Sequence, residues 1–202
     1  MAPVSPCHEY AARQPSGVRR RLLVTGLTGR VIEVGAGDGA NFAHYPADVS
    51  SVLAVEPEPY LRRRAEHAAT LTGVPVQVTD GLAEDLPAED GSFDAAVVSL
   101  VLCSVTDQPK ALREMHRVLR PGGRLRFFEH VRADGPAMRR VQRLLDATVW
   151  PALFGGCHTG ADTATAIEDA GFRIEQLNRP RFPDMAIPLP TSQHMLGTAS
   201  RL

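Results

Sequence analysis

The chain has 202 residues, 44% of them apolar and only 5% aromatic, with a formal net charge of −1. That length and composition suit one domain with a mostly aliphatic core, and the near-balance of charge speaks against a dedicated nucleic-acid binder, which carries a strong basic excess. Three cysteines, Cys7, Cys103 and Cys157, do not make a disulfide framework. With no signal peptide and no window near the roughly 18 apolar residues of a membrane span, the expected location is cytoplasmic.

Residues 1–15, with prolines at 3, 6 and 15, read as an irregular arm, and residues 16–202 as a single domain. A helix is expected over 16–25 with Leu22 and Leu23 facing the core, ended by Gly26 and Gly29. The runs Arg19–Arg21 and Arg62–Arg64 read as solvated helix faces. A buried strand, Arg30 to Val34, leads into a glycine-rich turn and a short helix near 39–44. Strand Ser51–Val55, a helix over about 59–71 and strand Val74–Val78 follow, then a loop over 80–92. Strand Phe93–Ser99 is apolar almost throughout, as a strand covered on both faces should be.

A helix over about 107–119 is expected to break at Pro121-Gly122-Gly123 before strand Arg124–Glu129. Helices over 136–150 and 159–170, a strand over 172–177, a proline-marked loop (Pro180, Pro183, Pro188, Pro190) and a strand over about 193–200 complete the chain. Strand–helix alternation with a hairpin-like end predicts a mostly parallel, doubly wound α/β sheet.

The strongest local feature is VIEVGAGDGANF at 31–42. Gly35, Gly37 and Gly39 let the backbone turn and come close to a ligand, and the following helix start offers free N–H groups. Gly35-x-Gly37-x-x-Ala40 also fits the dinucleotide fingerprint, and Glu56 at the end of the second strand suits the ribose diol of either kind of cofactor. Three features weigh against a nicotinamide enzyme. Glu33, a carboxylate in an apolar strand end, would repel a pyrophosphate; Lys110, the only lysine, has no tyrosine four residues before it; and 202 residues leave little room for a substrate domain.

Taken in order, VIEVGAGDG (31–39), VLAVEPEP (52–59), LAEDLPAEDGSFD (82–94), SLVLCSV (99–105) and ALREMHRVLRPGGRLRFFEHV (111–131) resemble the class I S-adenosylmethionine-dependent methyltransferases. SLVLCSV, FFEHV, Trp150, GGCH (155–158) and IEDAGF (167–172) narrow the resemblance to the methyltransferase-like alkyl thiol methyltransferases and their bacterial small-molecule and phospholipid-headgroup relatives. The chain departs from them in three places. No membrane-anchoring hydrophobic segment is expected at its start, where the animal thiol methyltransferases carry one. Thr159-Gly160-Ala161 follows GGCH where relatives carry Leu and a polar-basic pair, and Leu82 stands where many have an acid.

The resemblance implies a seven-stranded Rossmann-like sheet of order 3-2-1-4-5-7-6 with strand seven antiparallel. It implies S-adenosylmethionine as cofactor, S-adenosylhomocysteine as product, and methyl transfer to a small, largely apolar acceptor, with a thiol sulfur favoured. The rivals are O-, N- or C-methylation in secondary metabolism, a phospholipid-headgroup N-methyltransferase and a non-catalytic cofactor-binding module. By the same resemblance Gly35, Gly37 and Gly39 receive the methionine and ribose parts of the cofactor. Glu33, with Asn41 assisting, serves its amino-acid end; a helix-start hydrogen bond is the other reading of Asn41. Glu56 takes the ribose hydroxyls, Pro57 flanks the adenine, Ala83 and Glu84 bind it, and Ser99 and Leu100 lie beside the sulfonium.

His130 and His158 are the candidate bases, either of which a hydroxyl or carbon acid would need; a thiol needs only to ionise. Trp150, Leu153 and Phe154 would form an apolar lid, with Trp150, Phe154 and Cys157 against the substrate, and Cys103 would belong to the core. Cys157-His158 is too small a cluster for the four ligands of a usual zinc site, so no metal is expected. The partner is a small molecule; the sequence leaves the oligomeric state open.

Overall fold

The structure is a computed structural model that describes residues 17–148, 150–153, 156–181 and 189–202. The expected arm at 1–15, Phe154, Pro183 and Pro188 lie outside the described residues. In chain order the elements are α1 (Gly17–Val24), β1 (Gly29–Val34), a 3-10 turn (Phe42–His44), β2 (Val49–Val55), α2 (Pro59–Ala69), β3 (Val76–Thr79) and β4 (Phe93–Ser99). Then come α3 (Gln108–Val118), β5 (Leu119–His130), α4 (Pro136–Asp146), α5 (Trp150–Leu153), α6 (Thr163–Asp169), β6 (Phe172–Asn178) and β7 (His194–Arg201).

The strands form one seven-stranded sheet of order β3-β2-β1-β4-β5-β7-β6. The pairs β1–β2, β1–β4, β2–β3 and β4–β5 are parallel, and β7 runs antiparallel to both β5 and β6. Side chains alternate across the sheet with period two. Ala96 and Val98 of β4 join Ile32, Leu112, Met115 and Phe127 in one core layer, under α3 and α6. Ala95 and Val97 join Val31, Val52, Leu23 and Ala65 in the other, under α1 and α2. Glu33 faces the second layer, on the same side of β1 as Val31.

Several boundaries move for identifiable reasons. In α1 it is Leu23 and Val24 that are buried, while Leu22 is half exposed. Pro121-Gly122-Gly123 does not stand outside the sheet as a turn. It lies inside β5 as a bulge, with Leu119 opposite Phe93 and Arg124 opposite Ala95. The expected helix over 136–150 stops at Asp146, and the one over 159–170 begins only at Thr163. One carboxylate accounts for both changes: Asp146 accepts hydrogen bonds from the Thr159 N–H (2.7 Å), the Thr159 hydroxyl (3.0 Å) and the Gly160 N–H (2.9 Å), so these residues bond across to α4 instead of opening a helix. Gln142, fully buried on α4, accepts from the Ala133 N–H and donates to the Thr159 and Pro190 carbonyls, which joins three segments at one point. Among the described residues no helix is long and apolar enough to cross a membrane.

Candidate active site

The strand order reverses between β1 and β4, and in an open parallel sheet the crevice outside the strand ends at that point is the ligand site. Both strands end in left-handed backbone there. Gly35 has φ +69°, and a Cβ on it would lie 2.3 Å from Val101 Cγ2, so this position takes neither another conformation nor another side chain. Leu100, at the end of β4, is the one non-glycine residue with positive φ among those described, at +58°. Such a conformation costs of order 1 kcal/mol or more and persists where the surroundings enforce it. Here the Leu100 N–H donates to the Phe128 carbonyl (2.8 Å), and the next two N–H groups, of Val101 and Leu102, donate to Glu129 Oε1 at 2.9 and 3.1 Å.

Glu129 is fully buried, and burial pushes its carboxyl up to about 7 against those backbone hydrogen bonds. It had no role in the sequence reading. The signal was present in FFEHV, a charge at the end of an apolar strand, the same signal that drew attention to Glu33.

Glu33 and Glu56 are also buried at strand ends. Glu56 Oε2 accepts from the Gly37 N–H (2.8 Å) and Oε1 from the Glu58 N–H (3.0 Å), which leaves lone pairs on each oxygen for a diol. Gly37 itself meets nothing where a Cβ would stand, so its backbone faces open space. Glu33 accepts from Asn41 Nδ2 (2.7 Å) and the Tyr45 hydroxyl (2.8 Å). Asn41 in turn accepts from Arg20 Nη1 at 3.0 Å. Its side chain makes no cap at the 3-10 turn it precedes, so the helix-start alternative for Asn41 does not hold. Arg20 is therefore part of a buried polar chain rather than of a purely solvated face. Desolvation raises the Glu33 carboxyl to about 7, with the hydrogen bonds from Tyr45 and Asn41 opposing. Arg62 is tied down as well, donating to the carbonyls of Glu56 and Pro57 and to Asp80.

A cleft of about 180 Å³ opens beside these groups, lined by Gly35, Glu56, Pro57, Ala83, Glu84 and, on the opposite wall, Val101 to Thr106 in part. Five sequence-predicted residues thus share one cavity. Glu84 is not a solvated loop acid: its Oε1 accepts from the N–H groups of Thr106 (2.9 Å) and Asp107 (3.2 Å), which joins the loop after β3 to the start of α3. Leu82, in the place of the family's acid, is 55% exposed at the cleft rim.

The remaining predicted residues lie on the β5 side. His130 is buried at the end of β5, its Nδ1 3.9 Å from both Cys103 Sγ and Cys157 Sγ, and its ring centroid 4.4 Å from that of His194. Burial lowers His194 to about 3. His158 is exposed and touches this group through its backbone, its N–H donating to the Cys103 carbonyl (2.7 Å). Trp150 packs against Cys103 and Cys157, whereas Leu153 points outward at 60% exposure. Cys103 is buried, in this small cluster rather than in either main core layer.

A methyltransferase-domain family profile matches residues 32–127. The human thiol S-methyltransferase TMT1B is 34% identical over 183 residues, 87% of this chain and 73% of that protein. The chain is a class I S-adenosylmethionine-dependent methyltransferase.

Human thiol S-methyltransferase TMT1A is 37% identical over 159 residues, 76% of this methyltransferase and 64% of that protein. Among solved structures, an S-adenosylmethionine-dependent methyltransferase from Mesorhizobium loti superposes with a TM-score of 0.68 at 24% identity, covering 90% of this chain and 95% of the other; that likeness concerns the fold. S-adenosylmethionine is the methyl donor of the enzyme. The cleft suits it: an open glycine backbone at Gly37, a buried carboxylate with spare lone pairs at Glu56, and an apolar wall at Pro57 and Val101.

Proposed function

We propose that this methyltransferase methylates a small, largely apolar thiol on sulfur. The observation that carries the reading is the 34% identity to a thiol S-methyltransferase over most of both chains.

In this reading Glu56 holds the ribose hydroxyls, and Glu33, steadied by Asn41 and Tyr45, receives the ammonium of the cofactor's amino-acid end. Gly35, Gly37 and Gly39 give the bound molecule its backbone seat. Pro57 flanks the adenine. Ala83 offers it a backbone N–H, and Glu84 Oε2 accepts from its amine while Oε1 stays engaged with Thr106 and Asp107. The Ser99 carbonyl and the Leu100 side chain border the sulfonium. When bound, the cofactor supplies an electrophilic methyl group that a sulfur nucleophile displaces in line.

The enzyme's part is orientation and exclusion of water. A thiol of ordinary acidity, pKa about 8.5, gives up its proton to solvent without a dedicated base. Neither His130, turned toward two cysteines, nor exposed His158 has to take it. Trp150, packed on Cys103 and Cys157, borders the acceptor.

The test is transfer of isotopically labelled methyl from S-adenosylmethionine to a panel of small thiols, phenols, amines and phospholipids. Label on thiols is expected. Label on phenols, amines or phospholipids with none on thiols overturns the reading, and so does wild-type turnover that falls to background in His158→Ala.

A further inference from the structure

Three side chains far apart in sequence meet behind the cleft wall. Cys103 lies in the turn after β4, His130 ends β5 and Cys157 follows α5. Their ligand atoms (Cys103 Sγ, Cys157 Sγ and a His130 ring nitrogen) all lie within 4.8 Å of one another, and each residue is at most 2% exposed. His130 Nδ1 stands 3.9 Å from each sulfur.

A tetrahedral zinc site with Zn–S near 2.3 Å and Zn–N near 2.0–2.1 Å has S···N separations of about 3.6 Å and S···S of about 3.8 Å. A cation held by all three therefore needs the nitrogen to shift by a few tenths of an ångström and the two sulfurs, within 4.8 Å of each other, to close by up to about 1 Å. The backbone already holds the two cysteines in place: the His158 N–H donates to the Cys103 carbonyl, and Gly156, at φ +85°, packs where a Cβ would come within 3.1 Å of the Ser104 carbonyl.

We propose that Cys103, His130 and Cys157 form a binding site for a thiophilic divalent cation, zinc foremost. Soft thiolates with one imidazole select zinc over magnesium or calcium. On binding, each cysteine thiol releases its proton to solvent and donates a sulfur lone pair to the cation. His130 donates the Nδ1 lone pair and keeps its proton on Nε2. Two thiolates and one dication sum to zero charge, which is what a buried site needs. Three protein ligands leave a fourth position, the arrangement of open rather than closed zinc sites. Ser104, whose Oγ lies 3.5 Å from Cys103 Sγ, also lines the cleft, so the site borders the cavity.

The test is independent of any methyl acceptor. The reduced full-length protein, stripped with a chelator, is titrated with Co²⁺ and then Zn²⁺. One Co²⁺ per chain is expected, with a thiolate-to-cobalt charge-transfer band and the intense visible bands of a tetrahedral site, displaced by Zn²⁺. The bands are expected to vanish in Cys157→Ser and to persist in His158→Ala. X-ray absorption of the wild-type zinc complex needs no variant and should count two sulfurs and one imidazole. Absence of the bands while both thiols are counted as reduced, bands retained in Cys157→Ser, or a zinc shell without sulfur overturns the proposal.

Discussion

Glu33 sits in the second core layer with its carboxyl raised from 4.5 to about 7 by desolvation. Between those two values the folded chain binds a proton that the unfolded chain has released. The stability that this proton contributes is complete below about pH 4.5 and is lost as pH rises to about 7. Thermal melts of the cofactor-free protein from pH 5 to 8 should therefore fall more steeply for wild type than for Glu33→Gln. Cofactor binding should run the other way: an ammonium is held by the carboxylate and not by the acid, so S-adenosylhomocysteine affinity is expected to rise through pH 7 in wild type and to stay flat and weak in Glu33→Gln. Calorimetric titration at several pH values reads this directly; equal profiles in the two proteins would remove Glu33 from the amino-acid end. Both Glu33 and Glu56 were legible because a carboxylate in an apolar strand end has to be there for a reason. Tyr45, which completes the Glu33 network, was not, because a tyrosine after a short turn reads as ordinary core.

The loop between β3 and β4 owes its shape to α3. Arg117 donates to the Leu86 and Ala88 carbonyls and pairs with Asp90 and Glu114, while Glu114 accepts from the Leu86 N–H. The Arg117 guanidinium holds the Glu114 carboxyl below its usual range. This arginine is 31% exposed, yet its bonds to carbonyls fix the loop that carries Ala83 and Glu84. Arg117→Ala is expected to weaken S-adenosylhomocysteine binding several-fold and to lower the melting temperature by a few degrees, as the loss of about 1–2 kcal/mol would in a chain of this size. Calorimetry and thermal melts check both; unchanged cofactor affinity would mean that the loop holds its shape without the clamp. The helix was readable from its periodicity. Its hold on the loop was not, since it runs through carbonyls some thirty residues away.

The antiparallel β7, inserted between β5 and β6, closes the sheet through Gly197. A Cβ there would lie 2.4 Å from both the Gln176 carbonyl oxygen and the Phe127 ring. Gly197→Val should destabilise the fold by about 1–3 kcal/mol, the usual cost of overpacking. S-adenosylhomocysteine at a hundred times its Kd should still add about 2.7 kcal/mol to both proteins, because the cofactor crevice lies between β1 and β4, with β5 separating it from β7. Differential scanning calorimetry with and without ligand separates the two effects.

From short-range pattern the sequence by itself determined a mostly parallel α/β sheet, the glycine turn and the two carboxylates at apolar strand ends, while the resemblance of its motifs to a family implied the strand order and the enzyme class. Only the tertiary structure decided where α4 ends and α6 begins, that Glu129 enforces the strained turn at Leu100, and that Cys103 and His130 join Cys157. In each of these the partners lie on separate elements, and a contact made across the sheet leaves no periodicity in the chain.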